Sequence, residues 1–416
     1  MKHIVNSHSY LPIISHNKTD EKEWTFKEKM MLGLLPKEYF LSVLKNRFNW
    51  IFLLILIIGI PLIIQRYVVG LGAVTHSSND YPWGLFLAFG LFTMVPLSAS
   101  GFLLGTTVEI FGRHDYHPIE RLALLGGLLG YLFAVIYLLL DLGIPWHLPY
   151  PMFVSLGPAA VLFLVAWHVA TYLSVQIAEV SPAFFEWIGW LKAKAFVRKW
   201  ILGLTISGII LSTLHQGALG ALFTYAPAKI HPLWYSTFQW WHFFVSSIAA
   251  GLAMVIVVST LVKKFMAWRC DHEFLDNLDR LTIGLARGIS LTLITYVVIK
   301  FIGIAHDNEW AYLSTGWGHY FILEMSIFGF IPMVLFGIGI KNTNMTLIRF
   351  TAFLTVIGLA MNRINTTLVA FNWKLYQEVP HWKEFVISMT IFTIYIIVYR
   401  FILYRFPILY SWKGEK

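Results

Sequence analysis

The sequence predicts an all-α polytopic membrane protein with about ten transmembrane helices. Three observations lead there. Of 416 residues, 57% are hydrophobic, and the mean hydropathy is +0.67. Only 13% are Asp, Glu, Lys or Arg, where a soluble domain carries about a quarter. Runs such as "WIFLLILIIGIPLII" and "IFTIYIIVYRFILY" belong to segments long enough to cross roughly 30 Å of hydrocarbon, which takes about 20 apolar residues. A membrane β-barrel would instead show alternating segments of about ten residues.

Residues 1–49 are polar and charged, with no apolar core near the start, so the expectation is a cytoplasmic N-terminal arm without a cleavable signal. Within it, residues 30–46, "MMLGLLPKEYFLSVLKN", are mildly amphipathic and read either as a candidate interfacial helix or as a short connector. The membrane domain is placed at 50–405, with spans at 50–72, 83–110, 119–143, 153–179, 198–222, 235–262, 281–304, 317–340, 347–370 and 383–405. Pro61, Pro96 and Pro332 fall inside spans, where kinks are expected. Residues 406–416 form a C-terminal tail, expected in the cytoplasm with the N-terminus.

The net charge of +9 is explained by topology rather than by nucleic acid binding. With the N-terminus in the cytoplasm, 24 of the 31 Lys and Arg fall on that side, and only Lys229, Lys374 and Lys383 fall on the other. Arg66, Arg287, Lys300 and Arg363 lie within spans. That asymmetry is a positive-inside signal. The opposite loops, among them "IPWHLPYPM", "YAPAKIHPLWY" and "AHDNEWAYLSTGW", are rich in Trp, Tyr and Pro. Headgroup anchoring accounts for most of these aromatics, and compact loops of this kind also suit a platform for a partner.

The single cysteine, Cys270, cannot hold an iron–sulfur cluster or form a CxxCH haem attachment. If the protein handles electrons, another subunit carries them. No metal-ligating set is read in the chain.

Ionisable side chains at membrane depth are costly, and each is a functional hypothesis. Arg66, Asp141, His215 and Lys300 fall near the non-cytoplasmic ends of their helices; Asp141, for example, is about 33 Å along its helix from Ile119. Tyr131, His168 and His242 sit deeper, Glu324 and Arg363 lie inside the eighth and ninth spans, and Glu109 and Glu179 lie at cytoplasmic ends. Snorkelling of Arg66 and Lys300 is an equal reading, and interfacial placement is the favoured one for Glu109 and Glu179. His215 and Gln216, followed by Gly217 and Gly220, form the strongest site candidate. Two adjacent polar side chains beside small residues fit a ligand better than a helix bridge. A polar cluster biased to one face suits an amphipathic ligand such as a quinone, with His as the proton-exchanging group.

The stretches "YVVGLGAVTHSSNDYPWGLF", "HDYHPIERLALLGGLLGY", "DLGIPWHLPY", "STLHQGALGALF", "HPLWYS", "MNRINTT" and "VPHWKEF" resemble the NrfD-like family of polysulfide-reductase membrane subunits. The likeness is strongest to the HybB-type branch that anchors periplasmic nickel–iron hydrogenases. It covers roughly residues 60 to 405, in order. The resemblance implies two four-helix bundles flanked by the first and last helices, with a quinone site toward the periplasmic face and no haem or cluster in this chain. The partners it implies are a periplasmic ferredoxin-like iron–sulfur subunit and, beyond it, a molybdopterin-type or hydrogenase catalytic subunit or a multihaem cytochrome c. It places Tyr131, Asp141 and His215 at or near the quinone pocket, Trp83 and Arg66 around that end, and Glu324 and Arg363 in the second bundle. Hydrogenase-type relatives tend to carry a glutamate where this chain has Leu164; His168, one turn on, is the candidate replacement.

The expected function is therefore exchange of electrons between a menaquinone or ubiquinone pool and an iron–sulfur partner, in a bacterial or archaeal cytoplasmic membrane. His215, Tyr131, Asp141, Trp83, Arg66 and Gln216 form the site, and His168, Glu109, Glu324 and Arg363 are proton-path candidates. Three rivals stand beside it: a secondary transporter, a haem b anchor using two of His168, His215 and His242, and a pure anchor whose polar groups only join helices.

Overall fold

The computed structural model describes residues 24–375 and 379–410. The first 23 residues of the expected N-terminal arm and residues 411–416 of the expected C-terminal tail lie outside the described residues. Two short helices, α1 (Phe26–Met31) and α2 (Pro36–Lys45), precede the membrane domain. They are tied to its Lys- and Arg-rich end: Lys29 Nζ donates to the Trp187 carbonyl at 2.7 Å, and Arg405 donates to both the Met30 carbonyl and the Tyr39 hydroxyl.

Ten helices long and apolar enough to span a bilayer follow: α3 (Arg47–Val69), α4 (Phe86–Ile110), α5 (His114–Asp141), α6 (Val161–Ile188), then the short α7 (Leu191–Arg198). The series continues with α8 (Ile201–Thr224), α9 (Gln239–Arg269), α10 (His272–His306), α11 (Gly316–Lys341), α12 (Met345–Val369) and α13 (Trp382–Arg405). All-helical spanning is what hydrocarbon demands, because each backbone N–H and C=O must be satisfied within its own segment. Helix ends follow local chemistry. Thr315 caps α11 through Gly318 N–H, Asn344 caps α12 through Leu347 N–H, and α6 stops at Gly189 with φ of 80°.

The fourth helix was expected at 153–179 and runs instead over Val161–Ile188. Pro158 disfavours helix at the residue before it, so 154–160 is loop and the helix continues about nine residues further inward. The seventh was expected at 281–304 and spans 35 residues, about 52 Å, because its amphipathic first turns continue beyond the apolar part.

Helices α4, α5, α6 and α8 form one four-helix bundle and α9–α12 a second, with α3 and α13 packed on each other at the flank. The bundles meet where α9 lies against α4 and α8. Helix α4 is the most buried span, and α3 the least. Pro61 leaves α3 continuous, whereas α4 is broken around Pro96 into short α and π segments. Pro332 follows a π turn at Ser326–Phe330, the usual signature of a distorted ladder near proline.

At the bundle junction, a Cβ on Gly220 would lie 2.5 Å from the Gln239 carbonyl oxygen and 2.8 Å from Trp240 Cα. Both are backbone atoms of α9, so relief requires moving the helix. Gly220→Ala is expected to destabilise the protein by about 1–3 kcal/mol through overpacking. A thermal midpoint unchanged from wild type in detergent would contradict this helix contact.

Candidate functional site

Both termini of the membrane domain lie at one end; the opposite end, carrying loop residues 70–85, 142–160, 225–238, 307–315, 370–375 and 379–381, is here the outer end. In α8 the buried residues are Thr205, Gly208, Ser212, His215, Gln216, Leu219, Gly220 and Phe223. Three- and four-residue spacing puts them on one face. Helix α6 answers with Tyr172, Gln176, Glu179 and Glu186 on its own buried face. The two polar stripes meet inside the first bundle.

Tyr131 of α5 joins them. Its hydroxyl is hydrogen-bonded to His215 Nε2. Gln216 Nε2 donates to the Val95 carbonyl at 3.1 Å and to the Tyr131 hydroxyl oxygen at 3.2 Å. With the amide donating into Tyr131, the phenol can donate to His215 Nε2, an arrangement that leaves the imidazole proton on Nδ1. That Nδ1 faces the Leu211 carbonyl one turn below without a well-formed bond. The Tyr172 ring closes the group, 4.7 Å from Tyr131 and 5.4 Å from His215 between centroids. All three members of the Tyr131–His215–Gln216 trio have essentially no exposure.

Toward the inner end, Gln176 donates to the Tyr172 hydroxyl and Thr205 donates to Glu179 Oε1 at 3.2 Å. Gln176 Oε1, Glu179 Oε2, Ser212 Oγ and Gln216 Oε1 are buried without a protein partner. Buried polar atoms are almost always satisfied, so this seam is built to take further donors and acceptors. It runs about 15 Å along α8 from His215 to Thr205. Glu179, expected at the interface, is instead buried within the bundle, with Glu120 and Glu109 as its electrostatic neighbours.

The structure separates the other candidates. Asp141 stands ten residues from Tyr131 on α5, about 15 Å toward the outer end, beside Arg66 and Glu384. Arg66 is buried, and its guanidinium donates to the Leu140 carbonyl at 2.6 Å and to that of Leu142. It therefore caps the negative end of α5 rather than snorkelling. Trp83 stacks on Phe371 at 4.6 Å and meets Phe223 and Phe92 at 5.4 and 5.8 Å, an aromatic wall above the trio. His168 is half-buried on α6, one turn from Tyr172, and Glu109 is half-buried at the inner end of α4.

Glu324 and Arg363 belong to the second bundle. The Glu324 carboxylate accepts from Trp234 Nε1 at 2.8 Å, Asn365 Nδ2 at 2.6 Å and Asn362 Nδ2. Arg363 donates to Asn362 Oδ1, Ser246 Oγ and the Phe243 carbonyl, its guanidinium 3.8 Å above the Phe243 ring. Phe243 also packs on Phe223, so the two bundles touch through one aromatic layer.

Sequence reasoning missed Glu384. Its carboxylate accepts the N–H groups of Leu85 and Phe86 and so caps the start of α4, and the Cβ-free Gly84 makes room for it. An acid in a first helical turn is too ordinary a signal to single out. Tyr172 and Gln176 were also missed, although their spacing with Glu179 was readable. Among the described residues, no three His, Cys, Asp or Glu side chains gather as a metal site.

His231, in the outer loop before α9, is enclosed by Trp234, Tyr312, Trp317 and Trp373. Its Nδ1 accepts Leu233 N–H, and burial holds its pKa down to about 4. The unfolded chain protonates near 6.5, so it binds more protons than the folded one between those values. This contribution is intact above about pH 6.5 and is lost as pH falls toward 4. Thermal midpoints should therefore drop between pH 7 and 5, and His231→Phe should flatten that slope; an unaltered slope would contradict the assignment.

Two four-helix bundles with flanking helices make this an all-α polytopic membrane protein. Residues 73–370 match the family described as Polysulphide reductase, NrfD, and the chain belongs to that family. A protein of Nitratidesulfovibrio vulgaris strain Hildenborough is 44% identical over 366 residues, 87% of this chain and 94% of its own length. The "Probable Ni/Fe-hydrogenase 2 b-type cytochrome subunit" of Escherichia coli K12 is 29% identical over 85% of this chain and 90% of its own. The "Menaquinone reductase, integral membrane subunit" of the same N. vulgaris strain is 26% identical over 77% and 82%.

Proposed function

We propose that this chain is the quinone-reactive membrane subunit of a respiratory oxidoreductase complex. It exchanges electrons between a menaquinone or ubiquinone pool and an iron–sulfur subunit docked on its outer, periplasmic end. Family membership and a relative named as a menaquinone reductase subunit support the class. The observation that carries the site is the Tyr131–His215–Gln216 trio, sealed from water and joined by hydrogen bonds.

Quinone reduction consumes two electrons and two protons. In quinol oxidation, His215 Nε2 takes the Tyr131 hydroxyl proton as the phenol oxygen takes one from the quinol, and quinone reduction reverses this once Nε2 has taken up a proton from the seam. Gln216 holds the phenol in register from α8. The seam of Tyr172, Gln176, Ser212, Thr205 and Glu179 supplies protons from the inner end, a role that Glu109 can extend toward the cytoplasm. The half-buried His168 flanks this seam in place of the acid absent at Leu164. Arg66, Asp141 and Glu384 fix the outer end of the bundle, with the Trp83–Phe371 stack over the entrance. Both termini are cytoplasmic in this reading.

A relative's printed name includes a b-type cytochrome. His215 and His242 lie on helices of different bundles, and the His215 Nε2 is engaged with the Tyr131 hydroxyl.

The reading is tested by isolating the tagged chain from its native membrane. Co-purification of an iron–sulfur protein, seen as cluster signals in electron paramagnetic resonance that quinol reduces or quinone oxidises, is expected. A chain that comes out alone and transports a solute would contradict it.

A further inference from the structure

The second bundle holds a buried charge set that the quinone chemistry above does not use. Lys300 of α10 is 4% exposed, about 9 Å from the outer end of its helix at His306. Its charged and titratable neighbours are Glu324 from α11, Arg363 from α12, His242 from α9, and Asp307 just past its own helix. Among the described residues, no hydrogen bond or ion pair holds its ammonium; it rests 5.7 Å from the Phe321 ring centroid.

The neighbours are locked and Lys300 is not. Glu324 accepts three neutral N–H donors. Arg363 is a permanent cation, satisfied by Asn362, Ser246 and Phe243. Of the three, Lys300 is the one whose polar head has no hydrogen-bonding partner among the described residues. Lysine is the basic side chain that readily loses its proton when buried.

Asp307 lies seven residues on from Lys300, toward the outer end. Its Oδ1 accepts a hydrogen bond from Thr237 and faces His306 Nδ1 at 2.8 Å, while its Oδ2 is buried without a partner. His306 is 58% exposed on the outer end. Between Lys300 and the outer surface thus stand a buried carboxylate oxygen and then a solvent-exposed imidazole.

We propose that Lys300 is a proton-loading group of the second bundle, exchanging with the outer face through Asp307 and His306. The step moves a proton only; no bond is formed or broken beyond N–H and O–H. It rests on the redox reading above only for the driving reaction, and its test separates the two.

The complex in sealed, oriented vesicles is given a quinol or quinone pulse while turnover and proton movement are followed together. Lys300→Met and Lys300→Arg are expected to keep wild-type turnover within about twofold, while the protons moved per electron pair fall to the scalar value. The two variants fail for opposite reasons: one never carries the charge, and the other never releases it. Equal proton stoichiometry in wild type and both variants overturns the proposal. So does a wild-type complex that turns over with scalar protons alone. Absence of turnover in wild type refutes the quinone reading instead. Lys300→Arg preserves the buried charge, so loss of folding in Lys300→Met alone still leaves a decisive variant.

Discussion

Replacing His215 with alanine should lower quinone-linked turnover about 10²–10⁴-fold, the usual worth of a positioned general acid–base group. In the proposed reaction this effect rests on one atom, Nε2, which is hydrogen-bonded to the Tyr131 hydroxyl. Without it, the phenol has no base to take or return its proton, and the burial of Tyr131 denies it bulk water. His215→Gln is the sharper companion. It keeps volume and an acceptor near Tyr131 but does not protonate near neutral pH, so it should fold normally and remain nearly as slow. Turnover of both variants, normalised to the amount of assembled complex, is the measurement. Activity within threefold of wild type in His215→Gln would mean the histidine only bridges helices.

Glu324→Leu should destabilise the protein by roughly 3–5 kcal/mol, as expected when one side of a buried charge arrangement is removed. Three N–H donors, from Trp234, Asn362 and Asn365, would lose their acceptor, and Arg363 and Lys300 would lose the nearest compensating anion. Glu324→Gln should cost less, because one carbonyl oxygen remains to accept. A large fall in the thermal midpoint for Leu and a smaller one for Gln is the expected order. Equal midpoints for both variants and wild type would show the network to be dispensable.

The ten spans were legible because hydropathy and helix length are properties of each segment alone. Boundaries slipped where local backbone chemistry outweighed hydropathy: Pro158 delayed α6, and the polar first turns of α10 were uncounted. Arg66, an equal choice between snorkelling and a site, proved to be a helix cap, since its partners are carbonyls of α5 that sequence does not bring near. At the site, Tyr131, His215 and Gln216 were singled out and are found in contact. Asp141 was grouped with them by resemblance, yet the helix rise sets it about 15 Å away. Glu384 and the Tyr172–Gln176 pair went unread because their meaning depends on which helix faces which. Polar spacing of three and four residues reveals a face, but the partner across it is a tertiary fact.

The central claim is that a quinone oxygen is bound by the Tyr131–His215–Gln216 trio. The most direct measurement is a redox-induced infrared difference spectrum of the purified chain loaded with menaquinone, ¹³C-labelled at one carbonyl at a time. One carbonyl stretch should be shifted down by hydrogen bonding, and the shift should disappear in His215→Ala. Two carbonyl bands at the positions of free quinone in the wild-type protein would contradict it.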